Sequence, residues 1–308
     1  MTTILLGPQR FTTTVGATVR SLGLDGPIAM INSGWEERES EDAELAGHLE
    51  GRGVNLQLHH RMMDVLDKDE HFAAAARLFR DRQDELRAFY GIRLQAAIDA
   101  VQAVAHRSSL HAIGPVALQS AIEAVRDVDA WYVAELADLY RSVRATAPRD
   151  ESGTIGWHRG EIGALLDDCV GVVIAGGNVR TLLRTLRVFD VQISADLPIV
   201  AWSAGAMVLS DEIVLFHDHA PHGVTAAEVF DTGLGRLPGV IALPHAKRRL
   251  RLDEFDRMSV MARRFPDHRL TLLDDSTVVR FPDGSSELPA GARYLGLDGH
   301  VAVVGAAS

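Results

Sequence analysis

A serine hydroxyl becomes a nucleophile when a base takes its proton and its neighbours leave it accessible. Ser203 meets the second condition. It follows the apolar run Ile199, Val200, Ala201 and Trp202 and precedes Ala204, Gly205 and Ala206, after which a helix-compatible run begins. A strand, a sharp corner and a helix would hold the hydroxyl out at the corner, and a bulky residue just after it would collide with the turn. Free N–H groups at the start of that helix would face a developing oxyanion. Serine is also a favoured helix N-cap, so the same residues suit a purely structural corner.

The base must be a histidine, of which the chain has 13. His217, His219, His222 and His245 follow Ser203 near the ends of expected strands. His245 directly follows Val240 to Pro244 and would sit at a strand's carboxyl end, the edge where sites form in open α/β sheets. If Ser203 ends a neighbouring strand, the two residues share that edge. Asp218, flanked by His217 and His219, is placed to orient the base. The same cluster, with His222, also suits a metal such as zinc, although two-apart spacing leaves the remaining ligands unspecified. Gly176 and Gly177 end the preceding strand and allow close backbone approach to a ligand. The Gly177 and Ala204 N–H groups form a candidate two-donor oxyanion hole. The segment Ala175 to Arg180 lacks the spacing of a dinucleotide fingerprint, and no phosphate-binding loop motif is present, so no cofactor is expected.

These residues need a frame. Apolar runs at 3–6, 27–31, 54–58, 169–175 and 198–202 read as strands, with helices expected at 11–22, 36–51 and 179–188. That alternation predicts an α/β fold with a mostly parallel sheet flanked by helices. Between 69 and 147 the strand signal stops. Leu86, Tyr90, Leu94, Ala97, Val101 and Val104 keep three- and four-residue spacing, as do Leu118, Ile122, Val125, Tyr132, Leu136, Leu139 and Val143, with Asp129 the one polar member of the second seam. This predicts a long helical hairpin inserted into a single domain spanning 1–308, with its break at 108–115. It is a candidate dimer contact or lid. Residues 147–156 read as a linker. Further strands are expected at 213–216, 240–243, 270–273 and 277–280, a helix at 253–264, and a final β-hairpin around the turns at 283–284 and 298–299.

The totals narrow the class. The 308 residues are 47% hydrophobic and 24% charged, as in a globular protein with a substantial core. A net charge of −11 argues against nucleic acid or an anionic membrane as partner. The single cysteine, Cys169, excludes an internal disulfide. With no signal peptide or membrane span apparent, a cytoplasmic location is expected.

Three segments stand in order: Ala175 to Asn178 (AGGN), Trp202 to Ala206 (WSAGA) and Gly233 to His245 (GLGRLPGVIALPH), followed by Arg249 and Arg251. Together they resemble the serine peptidase family of dipeptidase E and cyanophycinase, which has the class I glutamine amidotransferase-like fold. The resemblance covers residues 150 to 282 well and the first 60 loosely. It implies Ser203 as nucleophile, His245 as general base, Gly177 and Ala204 as oxyanion donors, and an acid between serine and histidine. Asp218 fits that acid best by position, ahead of Glu228 and Asp231. Asn178, Arg249 and Arg251 are assigned to substrate binding. The basic run Lys247, Arg248, Arg249 and Arg251 supports this independently, since guanidinium groups hold carboxylates bidentately, although such a run also suits a solvated helix start. Ala201 stands where the family usually has glycine. Pro244 stands where cyanophycinase-like members carry glutamine, which points away from cyanophycin itself. The 69–147 stretch is larger than dipeptidase E leads one to expect.

The expected function is therefore a serine hydrolase that cleaves an amide, peptide or isopeptide bond beside an aspartyl or other acidic group through an acyl-enzyme. The competing reading is a non-catalytic binding or regulatory protein that uses the hairpin as its interaction surface. The discriminator is whether Ser203 Oγ lies within about 3–3.5 Å of a His245 ring nitrogen.

Overall fold

Strands buried on both faces read as unbroken apolar runs, and four of them, with a shorter and partly buried fifth at the edge, form the parallel core of this protein. The computed structural model describes residues 2–107, 112–219, 226–282 and 285–305. The core strands are β1 (Thr3–Leu6), β2 (Ile28–Ile31), β3 (Gly53–Asn55), β4 (Gly171–Ile174) and β5 (Ile199–Trp202). They run parallel in the order β1-β5-β4-β2-β3, and β10 (Val278–Phe281) adds an antiparallel edge beside β1.

The two-residue period of a strand divides its side chains between two cores. Leu5, Ala29, Ile31, Val172, Ile174, Ile199 and Ala201 enter one, with α3 (Leu58–Lys68), α6 (Gly153–Asp167), α7 (Val179–Val188) and α8 (Ala204–Leu209). Their neighbours Ile4, Leu6, Ile28, Met30, Val173, Val200 and Trp202 enter the other, against α1 (Val15–Arg20) and α2 (Ala43–His48).

A second sheet has the order β12-β11-β9-β8, formed by β8 (Val240–Pro244), β9 (Arg269–Leu273), β11 (Arg293–Leu295) and β12 (Val301–Val303). β8 and β9 are parallel, and β11 and β12 are the expected antiparallel hairpin. A small antiparallel pair, β6 (Glu212–Leu215) and β7 (Glu228–Thr232), lies between Ser203 and β8 in sequence. The helical hairpin consists of α4 (Glu70–Ala105) and α5 (Ile113–Thr146). The expected break at 108–115 lies partly outside the described residues.

The hairpin's apolar seam packs on the second sheet. Tyr90, Leu94, Val101, Ile122, Val125, Tyr132 and Leu136 share a core with Ile241, Leu243, Leu270 and Leu272, and with Met258 and Met261 of α10 (Phe255–Arg264). Tyr90 and Tyr132 stack at 4.3 Å between ring centres. Tyr90 Oη accepts from the Val229 N–H at 3.0 Å, and Tyr132 Oη donates to the Phe230 carbonyl at 3.0 Å, so both tyrosines fasten the hairpin to β7.

Several elements depart from the sequence reading. The third strand ends at Asn55, because Gln57 turns left-handed (φ 52°) and α3 starts at Leu58. The helix expected at 36–51 is a 3₁₀ segment, Ser33–Arg38, kinked at Glu36 (φ 59°) and followed by α2. The expected linker is largely ordered: Ser152 Oγ accepts from the Ile155 N–H and caps α6. Most consequentially for the site, Ser203 and His245 end strands of two different sheets, where one shared edge was expected.

Candidate active site

Ser203 ends β5 and precedes α8 with φ 50° and ψ −121°. A non-glycine residue held there carries strain that the surrounding structure must impose. The small residues around it have specific packing reasons. A Cβ on Gly205 would run into the Ile174 carbonyl oxygen, and one on Gly176 would come within 2.8 Å of Ser203 Cβ. His245 ends β8 in the left-handed region (φ 59°, ψ 34°) and precedes the short helix α9 (Ala246–Arg249). Its backbone N–H donates to the Leu273 carbonyl of β9 at 2.9 Å. Two strained strand ends thus face each other, and Ser203 Oγ lies 3.3 Å from His245 Nε2.

Ser203 and His245 open into a cleft of about 300 Å³ with Gly176, Gly177 and Trp202. Gly177 sits at φ 115°, and a Cβ there would strike the Gly34 backbone, so glycine is required on both counts. Neither the Gly177 nor the Ala204 N–H makes a backbone hydrogen bond among the described residues. Burial, together with the positive charges of Arg249 and Arg248, holds the His245 pKa below its ordinary value, while Asp275 and Asp274 pull the other way. The ring is therefore neutral at neutral pH and able to accept a proton.

The acid expected to orient His245 sits elsewhere. Asp218 is buried, and its carboxylate accepts two hydrogen bonds from Arg257 (2.5 and 3.2 Å) and one from the Arg251 N–H (3.1 Å). These contacts fasten the chain beyond α9. The His245 ring hydrogen-bonds to Ser203 alone among the described residues. The alternative acids are engaged too: Glu228 pairs with Arg87 of the hairpin, and buried Asp231 holds Arg187 and Tyr140. The carboxylates whose charge acts on the ring, Asp274 and Asp275, follow β9. Their place follows from strand register, since Pro244 pairs with Leu273 and the residues just beyond are neighbours.

Asn178 caps α7, its Oδ1 accepting from the Arg180 and Thr181 N–H groups while its Nδ2 donates to Glu36. Arg251 pairs with Glu254. The half-buried Arg249 guanidinium has no ion pair among the described residues. None of these three residues lines the cleft, whereas Arg10 does, with Gln9, Trp35, Glu44 and His48. Those residues belong to the loops and helices that follow β1 and β2. The turn signals Gly7-Pro8 and Asn32-Ser33-Gly34 marked the relevant strand ends, and the carboxyl-edge rule applies to them as much as to Ser203. His217 and His219 are exposed on either side of Asp218, and His222 lies outside the described residues. No group of three or more His, Cys, Asp or Glu among the described residues is arranged to hold a metal ion. No helix among them is long and apolar enough to cross a membrane.

Comparison with known proteins bears on the same region. The model of peptidase family S51 matches residues 123–288, more than half of the chain, from within α5 to beyond β10. No curated protein matches the sequence. Among solved structures, a peptidase from an acI-B1 Actinobacterium aligns over 99% of this chain and 95% of its own, with a TM-score of 0.46 and 14% identity. On the strength of the family match, the chain belongs to peptidase family S51, the serine peptidases related to dipeptidase E.

Proposed function

We propose that this serine peptidase works through an acyl-enzyme formed on Ser203 at a nucleophile elbow. Ser203 Oγ attacks the substrate carbonyl carbon as its proton passes to His245 Nε2. The carbonyl oxygen, now negative, is held by the Gly177 and Ala204 N–H groups. The C–N bond then breaks, and the leaving amine takes the proton from the imidazolium. Water attacks the ester with His245 again as base, releasing the carboxylic acid and restoring the serine hydroxyl. The Asp274–Asp275 pair supplies the negative charge that stabilises the imidazolium, while Asp218 positions the segment beyond the base. The observation that carries this reading is the 3.3 Å approach of Ser203 Oγ to His245 Nε2 across two strained strand ends.

The substrate is a small peptide with an acidic group beside the scissile bond. Arg10 in the cleft and the unpaired Arg249 beside the base support that preference on a protein that is otherwise acidic. Intact-mass labelling with a fluorophosphonate tests the mechanism. One adduct is expected on the wild type and none on Ser203→Ala, whereas an adduct that persists in Ser203→Ala overturns the assignment. On aspartyl dipeptides, Ser203→Ala and His245→Ala are each expected to lower kcat by about 10³-fold or more. Arg10→Gln is expected to raise KM for aspartyl substrates more than for their neutral counterparts.

A further inference from the structure

A second cavity, of about 120 Å³, lies between the hairpin helices α4 and α5 and helix α7. It shares no lining residue with the Ser203 cleft. Its walls are apolar, with Phe72, Phe79, Leu183 and Phe230 among them. Six arginines also line it, on a chain of net charge −11. Arg180 pairs with Asp84, and Arg187 pairs with Asp231. The guanidinium groups of Arg80, Arg144, Arg149 and Arg184 have no hydrogen bond or ion pair among the described residues. Arg80 and Arg144 are exposed, whereas Arg149 and Arg184 are half-buried against apolar surface, where like charges repel one another and lose hydration. The effect shows on Arg184, whose pKa is lowered by burial and by Arg80 and Arg180, and on Arg149, lowered by burial and by Arg144 and Arg159.

An independent observation points to a ligand. Gln83 of α4 lines the same cavity, is 4% exposed, and its amide has no hydrogen-bond partner among the described residues. Asn32 Oδ1 is the one fully buried, unpaired polar side-chain atom among the described residues, so the unpaired amide of Gln83 is open to the cavity. An amide beside unpaired guanidinium groups forms a receptor for an oxyanion, with apolar surface left for the rest of the molecule.

We propose that this cavity binds a small amphipathic oxyanion, a carboxylate or monoalkyl phosphate. Arg184 and Gln83 hold its head, and the phenylalanines and Leu183 hold its apolar body. A cavity of about 150 Å³ takes a benzene-sized group, so an apolar body of about four to six carbons fits this one.

Isothermal titration of the full chain with hexanoate, monobutyl phosphate, hexan-1-ol and inorganic phosphate tests the proposal. Hexanoate or monobutyl phosphate is expected to bind at least about tenfold more tightly than hexan-1-ol and inorganic phosphate, and the tighter of the two identifies the head group. Arg184→Met and Gln83→Leu are each expected to weaken that binding about tenfold or more. Gln83→Leu is also expected to keep or raise the melting temperature, because it removes an unpartnered amide, and this separates a lost ligand contact from a damaged fold. Equal binding of the anion and hexan-1-ol would overturn the site. So would inorganic phosphate binding as tightly as the amphipathic anions, or affinity unchanged in both variants.

Discussion

At the residue scale, the site depends on one ring staying neutral while surrounded by cations. Burial and the guanidinium groups of Arg249 and Arg248 lower the His245 pKa, and Asp275 and Asp274 oppose them. A base is active when unprotonated, so activity is present above its folded-state pKa and is lost as pH falls through it. Arg249→Gln removes a lowering charge and is expected to move the acid limb of kcat/KM to higher pH. Asp275→Asn removes a raising charge and is expected to move it lower. Opposite shifts in the two pH profiles support the assignment of His245, while limbs that coincide with wild type would refute it. The corner at Ser203 and the place of His245 beside it were legible in the sequence because each is a small-residue or histidine signal at the end of an apolar run. The acid was not. Asp218 has the right spacing along the chain, but its partners come from residues 251 and 257, and the negative charges that act on His245 come from Asp274 and Asp275, just beyond the neighbouring strand β9. Linear order does not reveal that pairing.

At the element scale, the polar interruption in the hairpin seam has a partner. Asp129 accepts hydrogen bonds from Arg264 of α10 at 2.5 and 2.6 Å and from Tyr90 at 2.8 Å, all of them buried. Removing one member of a buried ion pair leaves the other charge uncompensated, so Asp129→Ala is expected to cost about 3–5 kcal/mol in urea unfolding. Replacing both charges (Asp129→Leu with Arg264→Met) should recover much of that loss. A single variant within about 1 kcal/mol of wild type would mean that the pair does not fasten the hairpin. The hairpin was legible because its stripes run for many turns. Helix α6 was not, because Gly153, Gly156, Gly160 and Gly163 lower its propensity and imitate a linker. None of the four is needed for space, since a Cβ at each would meet nothing within 4 Å. Gly160→Ala is therefore expected to stabilise the protein by about 0.5–1 kcal/mol in the same assay. Strand β7 was hidden for a different reason: Glu228 and Asp231 disguise its alternation, and their charges are matched by Arg87 and Arg187.

At the scale of the whole molecule, Ser203 and His245 end strands of different sheets, and βα alternation in a sequence does not say which sheet a strand joins. The approach of Ser203 to His245 therefore depends on the joint between the sheets, and one hydroxyl sits in it. Ser210 ends α8, the helix that Ser203 begins, and is fully buried. Its Oγ accepts from the Ala242 N–H of β8 at 3.1 Å, on the edge of β8 that faces away from β9. The Asp211 N–H donates to the Val240 carbonyl on the same edge. Three residues beyond Ala242 stands His245. Ser210→Ala leaves a buried N–H without its acceptor and is expected to cost about 1–3 kcal/mol. It also frees β8 to shift against α8, and displacements below an ångström between reacting groups lower rates steeply, so kcat is expected to fall about 10- to 100-fold with little change in KM. Stability loss alone does not predict this. Val279→Ala, in the core behind β10 at the far edge of the central sheet, should lose comparable stability and keep its kcat. If both variants keep wild-type kcat per folded molecule, the 3.3 Å approach is held by the strained corners themselves, and the joint between the sheets contributes to folding alone.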